Sequence, residues 1–167
     1  MRRATREVTD FDQQVEIMKA SDVCRIAFNG AEIPYILPLN FGIEVIDGVV
    51  YLYFHGAKEG MKYDYIREHP IVAFEMDCRH RLLFRDDAQY CTMAYASVIG
   101  KGRIELLPDE EKVHALILLN AHYHPDGFPV NLKSVPATTV MRLTVLEMTA
   151  KSNLHKLNDP NMHGLDE

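Results

Sequence analysis

The chain has 167 residues, 47% of them hydrophobic and 25% charged, with a formal net charge of −6. This composition is typical of one ordinary globular domain and excludes a disordered or fibrous protein. The negative charge argues against non-specific binding to nucleic acid, and no apolar run reaches the ~18 residues that cross a membrane.

Cysteine usage indicates the compartment. Cys24, Cys78 and Cys91 are widely spaced and form no Cys-x-x-Cys pair. They are typical of reduced thiols in a cytoplasmic protein, not of a disulfide framework or a zinc site. The basic N-terminus has no apolar stretch behind it, so we expect no secretion signal.

The chain opens with a helical pattern. Phe11, Val15 and Met18 recur at helical spacing. They predict a short helix over residues 11–20, capped near Thr9.

Strand patterns come next. Residues 23–28 are apolar enough for a first strand, and from 34 to 46 the apolar residues occupy the odd positions. This period of two predicts one strand with a single buried face. The dipeptide Asp47-Gly48 tolerates positive φ, so residues 34–46 and 49–55 are predicted to pair as an antiparallel hairpin.

The second half continues this alternation of short elements. Residues 59–68 predict a short helix, 71–76 a strand, and 90–107 a long strand or a bent pair. A helix begins at Pro108, with acidic residues in its first turn as the helix dipole prefers. Residues 138–149 predict the last strand, and the polar tail from residue 152 is expected to be loosely ordered. On the helix after Pro108, helical spacing predicts that one face is shared by Val113, Leu116, Ile117 and Asn120.

These elements together predict a fold class. Six or so strands joined mostly by hairpins, with a few short helices, indicate a mainly β protein, an antiparallel barrel with helical decoration. A doubly wound parallel fold is disfavoured because helices do not alternate with strands and the Gly-x-Gly-x-x-Gly pattern is absent.

The segment from Gly48 to Lys62 carries the clearest functional pattern. An apolar strand brings His55 to its end, turns through Gly56 and enters a helical pattern with Lys58 and Lys62 four residues apart. Free amides at a helix N-terminus, with cationic side chains nearby, form phosphate sites. The sequence therefore predicts an anion site here, although the spacing alone also fits two solvated surface lysines.

A second polar cluster has a weaker pattern. His122, His124 and Asp126 carry imidazole and carboxylate groups, the usual donors to metals. They lie in an irregular segment without a further defined ligand, so we predict a structural or solvated role and no metal site.

An ordered set of motifs resembles a known family. The chain is similar to the pyridoxamine 5'-phosphate oxidase-like flavoproteins over about residues 2–153, and within them most to the nitroimidazole-resistance branch. The motifs that carry this resemblance are Pro34-Tyr35, Pro38-Leu-Asn40-Phe41, Tyr53-Phe-His55-Gly-Ala-x-x-Gly60-x-Lys62, Glu68-His-Pro70, Ser97-Val-Ile-Gly100-Lys-Gly102 and Met148-Thr-Ala-Lys151.

The resemblance implies an architecture and a cofactor. It implies a split β-barrel that forms a homodimer and holds FMN in grooves between two subunits. One FMN-binding domain would span residues 1–153, followed by a polar tail at 154–167. The flavin would pass electrons from a small-molecule donor to a small acceptor.

The resemblance also implies site residues by position. Lys62 is the main expected phosphate ligand, and Lys58 supports it. His55 would lie near flavin or substrate and is the candidate catalytic residue. The remaining expected cofactor contacts are Leu37, Pro38, Leu39 and Asn40 along the flavin ring, Phe54 and Gly56 at the strand end, and Ser97.

The reaction implied is FMN-dependent reduction of a small acceptor, with nitroaromatics as one class. True pyridoxamine phosphate oxidases of this family carry a basic C-terminal segment with an Arg and a Trp, whereas this chain has no Trp. Two alternatives stay open. One is a non-catalytic flavin- or haem-binding protein, with His55, His122, His124 or His155 as axial ligand; the other is a structural dimer without cofactor.

Overall fold

The computed structural model describes residues 4–30, 32–124 and 126–164. Within these ranges it contains three α-helices and nine strands, together with short 3-10 helices. The helices are α1 Phe11–Lys19, α2 Lys62–Glu68 and α3 Asp109–Tyr123, and the strands are β1 Glu7–Val8, β2 Cys24–Phe28, β3 Tyr35–Leu39, β4 Gly42–Ile46, β5 Val49–Gly56, β6 Ile71–Arg85, β7 Tyr90–Leu106, β8 Thr139–Ser152 and β9 His163–Gly164.

The strands belong to one sheet. Their order is β3-β2-β6-β7-β8-β5-β4, with β1 also paired with β8 and β9 with β6. The pairs with assigned register are antiparallel. The path ends at β3 and β4, so within the described ranges each of these strands has a neighbour on one side only. The predicted mainly β fold with helical decoration is confirmed.

By its internal contacts the chain divides into two compact units. The first comprises residues 1–22, 76–99 and 149–167, and the second comprises residues 23–75 and 100–148. The assignment of one domain to residues 1–153 stays a prediction.

The first unit is held by an α1 cap and a buried amide. The Asp10 side chain accepts a hydrogen bond from the Gln13 N–H at 2.9 Å and so satisfies a free amide at the start of α1. The fully buried Asn153 donates to the Met93 carbonyl at 2.7 Å and accepts from the Tyr95 N–H at 2.8 Å. Its whole amide is thus paired, as a buried polar group requires.

The second unit contains the predicted hairpin. β4 pairs with β5 through Asp47 and Gly48, whose φ angles are 51° and 77°. Positive φ at both positions is the geometry of a tight hairpin turn. A Cβ at Gly42 would lie 2.5 Å from the Leu119 backbone nitrogen, so only glycine allows α3 to approach β4 this closely.

One predicted strand is two strands. Residues 34–46 were expected to be continuous, but β3 ends at Leu39 and β4 begins at Gly42. β3 pairs with β2, and β4 pairs with β5. The alternation of side chains persists across the break, so the pattern alone gives no sign of it. At the break the Phe41 N–H donates to the Tyr123 hydroxyl at 3.1 Å.

The face of α3 that carries Val113, Leu116, Ile117 and Asn120 is at most half-buried. Ile117 is 52% exposed, and the residues that the helix buries are Lys112, Ala115 and Leu119. Lys112 lies on this face because its hydrocarbon stem packs inward while its ammonium reaches the Asp109 carboxylate at 2.7 Å.

Other bounds also differ. α2 begins three residues later than expected, and β6 continues to Arg85 instead of stopping near residue 76. The segment expected to be a loose tail contains a 3-10 helix over Leu154–Asn158 and the strand β9. Of the described helices, none combines the length and apolar character needed to cross a membrane.

Candidate functional site

β5 brings the chain into the predicted anion site. Its end pairs with β8, with His55 opposite Val140, whereas its pairing with β4 stops at Tyr53. No strand in the described ranges therefore covers the other edge of residues 54–56. Phe54 is fully buried, so it can reach a ligand only through its backbone. The side chain of His55 is exposed and accessible.

Two glycines make room for the side chain of Lys62. A Cβ at Gly56 would lie 3.1 Å from Lys62 Cε and 3.2 Å from Lys62 Nζ. A Cβ at Gly60, whose φ is 148°, would also lie 3.2 Å from Nζ. Lys62 therefore folds back over the loop that precedes its own helix, into space that any larger residue at these two positions would occupy.

An aromatic ring supports the same ammonium. Lys62 Nζ lies 4.3 Å from the centroid of the Tyr63 ring. Tyr63 is only 3% exposed, and its hydroxyl donates to the Ala57 carbonyl. Within the described ranges, no carboxylate forms an ion pair with Lys62. The ammonium thus has an aromatic face and two glycines beside it but no counter-charge, which leaves it available to an external anion.

The start of α2 contributes less than the sequence predicted. The Tyr63 N–H donates to the Gly60 carbonyl and the Asp64 N–H to the Met61 carbonyl, both at 3.1 Å. These amides are therefore already satisfied, and a helix of seven residues has a small dipole. The Lys62 ammonium is therefore the stronger candidate for anion binding at this junction than the amides of Tyr63 and Asp64.

Lys58 lies near another helix. The pKa of the Asp109 carboxyl is lowered, first by the hydrogen bond from Lys112 and in smaller part by the charge of Lys58. Lys58 itself is exposed. Its charge is therefore shared with the acidic start of α3 and is less available to an external anion than the charge of Lys62.

β3 supplies the backbone edge expected to lie along a flat ring. β2 is its strand neighbour, with Leu37 opposite Ile26 and Pro38 opposite Arg25, and in the described ranges its other edge is unpaired. Pro38, which lacks an N–H, is typical of such an edge. Leu37 and Leu39 are half-buried, and Pro38 and Asn40 are exposed.

Ser97 lies on β7 in the first unit, half-buried between the buried residues Ala96 and Val98. Its assignment to a flavin stays a prediction.

The histidine cluster after α3 has packing contacts. The His122 ring lies 4.3 Å from the Phe41 ring, and the His124 ring stacks on Phe128 at 5.0 Å. Within the described ranges no group of three His, Cys, Asp or Glu residues comes together to bind a metal. These contacts favour a structural role for both histidines.

One polar network was not predicted from the sequence. The buried Tyr53 hydroxyl donates to Glu44 at 2.9 Å, and Glu44 also contacts His114 Nε2 at 3.2 Å. Burial, then the hydrogen bond to Glu44, raises the pKa of Tyr53 to about 12. Arg142 pairs with Glu105 at 2.8 Å and with Glu111 at 2.9 Å. Tyr53 and Glu44 lie on the two strands of the β4–β5 hairpin, but the other partners lie far apart in sequence, so no local pattern indicates the whole network.

The fold and the site together define a class of protein. Within the described ranges the sheet has an unpaired edge strand, and a glycine-lined loop carries an ammonium without a carboxylate partner. These two features are of the kinds that suit a flat ring and a phosphate.

The chain belongs to the pyridoxamine 5'-phosphate oxidase family, whose model matches residues 10–152. This match confirms the resemblance seen in the motifs and the split-barrel fold class. No curated protein matches the chain.

Solved structures share the fold. A candidate 5-nitroimidazole antibiotic resistance protein from Bacteroides thetaiotaomicron is 27% identical, with a TM-score of 0.74 over 96% of this chain and 90% of that chain. A FAD and haem binding protein from Mycobacterium smegmatis is 18% identical, with a TM-score of 0.73 over 88% of this chain and 73% of that chain. The flavocytochrome Anf3 from Azotobacter vinelandii is 19% identical, with a TM-score of 0.70 over 96% and 80%.

Proposed function

We propose that the protein is an FMN-dependent oxidoreductase in which Lys62 binds the FMN phosphate and the edge of β3 lies along the isoalloxazine ring. The observation that carries the proposal is the Lys62 ammonium, which is held over Gly56 and Gly60 without a carboxylate partner in the described ranges. Family membership supports the choice of a flavin.

The residues at the junction suit a phosphate monoester. Such a group carries about −1.5 to −2 charge near neutral pH and offers three acceptor oxygens. A lysine ammonium is a compact charge with three donors, and the glycines on either side leave room for the oxygens to approach. An internal phosphodiester carries less charge, so the site favours a terminal phosphate such as that of FMN.

The residues of β3 suit the flavin ring. Leu37 and Leu39 are half-buried apolar side chains, and the unpaired backbone edge offers donors and acceptors to ring heteroatoms. Bound FMN would supply the redox chemistry, while the protein binds and orients it. His55 is exposed at the end of β5, two residues from Ala57, and is our candidate for contact with flavin or substrate.

We propose a small acceptor, with nitroaromatic compounds as the first class to test. The similarity to the Bacteroides thetaiotaomicron protein supports this choice. The absence of tryptophan from the sequence supports an activity other than pyridoxamine phosphate oxidation.

We propose further that the protein acts as a homodimer in the cytoplasm. The apolar side chains of Ile33 and Ile36, exposed by 74% and 62%, support a partner surface beside β3. A second copy of the chain would cover them. Three free cysteines, two of them buried, support a reducing compartment.

An absorbance spectrum of the purified protein, recorded before and after addition of FMN, tests the proposal. We expect flavin bands, stoichiometric FMN binding tighter than FAD binding, and oxidation of NADH or NADPH when a nitroaromatic acceptor is present. A protein that binds no flavin would overturn the proposal. One that binds FMN but shows no turnover with either donor would leave a flavin-binding function only.

Haem binding is the second candidate, because two structures of this fold are a FAD and haem binding protein and a flavocytochrome. A Soret band after addition of haem would favour it. Since His122 and His124 have ring contacts, we predict that His55→Ala removes this band whereas His124→Ala retains it.

If the protein binds a flavin, His55→Ala should leave folding intact and change FMN affinity or turnover. No effect on haem binding, FMN affinity or turnover would return His55 to a structural role.

A further inference from the structure

We propose that Tyr63 is a positioning residue that fixes the Lys62 ammonium at the phosphate position, and that it thereby sets the preference for FMN over riboflavin. The inference rests on the proposed function. It adds a residue that does not itself contact the bound flavin but determines where the Lys62 ammonium lies.

The ring of Tyr63 limits where Lys62 can go. Lysine has four rotatable side-chain bonds, and holding its ammonium in one place costs side-chain entropy. Here Nζ lies 4.3 Å from the Tyr63 ring centroid, a distance at which the aromatic face attracts a cation. The attraction favours the folded-back conformer before a ligand arrives, so less entropy is lost on binding.

The hydroxyl of Tyr63 fixes the ring. Tyr63 is 3% exposed, and its hydroxyl donates to the Ala57 carbonyl in the loop between β5 and α2. A Cβ at Gly56 would lie 3.0 Å from this same oxygen. One side chain therefore ties the loop to the helix and supports the ammonium between them.

The Tyr63 ring holds the Lys62 ammonium without carrying a negative charge, and this favours anion binding. A carboxylate in the place of Tyr63 would hold Lys62 equally well but would neutralise it and repel phosphate. An aromatic face attracts the cation and leaves its full charge for the ligand. The arrangement is therefore specific to a partner that carries a negative charge.

Ligand selectivity separates positioning from a merely structural role. Riboflavin has the isoalloxazine ring of FMN and no phosphate, so the ratio of the two affinities reports on the phosphate site alone. Equilibrium titrations monitored by flavin fluorescence would give both dissociation constants for the purified full-length protein.

We expect Tyr63→Leu to weaken FMN binding about tenfold, as loss of a cation–aromatic contact on a buried ring predicts, and to change riboflavin binding less than about twofold. Tyr63→Phe keeps the ring and loses only the bond to Ala57, so its FMN affinity should fall about threefold. If Tyr63→Leu does not fold, Tyr63→Phe still provides the ratio of the FMN and riboflavin affinities. Tyr65→Leu is the matched control because Tyr65 packs on Phe28 and Tyr35. It should alter both affinities equally or not at all.

The outcomes are distinct. A wild-type protein that binds neither flavin overturns both the proposed function and this inference. Equal wild-type affinities for FMN and riboflavin overturn the phosphate site at Lys62, and the positioning role of Tyr63 is overturned with that site. A wild-type preference for FMN that Tyr63→Leu and Tyr63→Phe both retain overturns the role of Tyr63 alone.

Discussion

Two cations of the second unit are held in opposite ways. Arg142 donates to the carboxylates of Glu105 and Glu111 and lies over the ring of Tyr51. Lys62 has an aromatic ring and glycines beside it, and within the described ranges no carboxylate pairs with it. The charge of Arg142 is compensated inside the protein, whereas we propose that the charge of Lys62 is compensated by a bound anion.

The difference separates stability from binding. A cation paired with two carboxylates lowers the free energy of the folded chain, and its loss leaves like charges side by side. A cation without a partner adds little to folding, and its interaction free energy appears when a ligand binds. Replacing each cation in turn should therefore change one property and spare the other.

The largest effect is expected at Lys62. Lys62→Ala should weaken FMN binding by about 1 to 3 kcal/mol, the scale of a lost charge-assisted hydrogen bond. The free energy of unfolding should fall by less than about 1 kcal/mol, since the contact with the Tyr63 ring is lost but, within the described ranges, no internal ion pair is lost. Flavin fluorescence titration and urea denaturation measure the two quantities.

Lys58→Ala is the matched control for this variant. Lys58 lies in the same loop but acts electrostatically on Asp109, so its removal should reduce FMN affinity by less than about 0.5 kcal/mol. Unchanged FMN affinity in Lys62→Ala would rule Lys62 out as the main phosphate ligand. A larger effect at Lys58 than at Lys62 would reverse the assignment.

The sequence predicts the strand end before Lys62 but not the contacts that hold the Lys62 side chain. The Asp47-Gly48 turn and the alternation of β5 are local signals, so they placed the hairpin and the strand end correctly. Nothing local indicates that Gly60 leaves room for Lys62 or that the Tyr63 ring lies beneath it. The sequence pointed to free helix amides, and those of Tyr63 and Asp64 are bonded to the carbonyls of Gly60 and Met61.

Misreadings elsewhere have the same origin. Helical spacing places Ile117 on a largely apolar face of α3, but Ile117 is exposed and Lys112 is buried through its stem. Periodicity counts residue types, whereas burial depends on which face a neighbouring strand covers. Alternation over residues 34–46 is likewise compatible with one strand or with two that have different partners.

The next effect concerns Arg142. Arg142→Ala should lower the free energy of unfolding by about 1 to 2 kcal/mol, because Glu105 and Glu111 lose their shared donor. FMN affinity should stay within about twofold of wild type. Lys101→Ala removes a pair in which the lysine side chain is 50% exposed and Glu147 is 72% exposed, and it should cost less than about 0.5 kcal/mol. If Arg142→Ala weakened FMN binding as strongly as Lys62→Ala, the two cations would not have separate roles in stability and in binding.

The smallest effect is expected for the Tyr53 hydroxyl, and this effect depends on pH. Tyr53→Phe removes the hydrogen bond to Glu44 and should cost about 0.5 to 1.5 kcal/mol of stability at pH 7. The pKa of Tyr53 is raised from 10.0 to about 12 in the folded protein, so the unfolded chain loses this proton first as the pH rises. The contribution of Tyr53 is therefore complete below pH 10 and is lost towards pH 12. Urea denaturation across this interval should show wild type and Tyr53→Phe converging, while the exposed Tyr90→Phe stays parallel to wild type. A constant difference between wild type and Tyr53→Phe would show that the pKa of Tyr53 is the same in the folded and the unfolded chain. Burial and the hydrogen bond to Glu44 would then not raise this pKa.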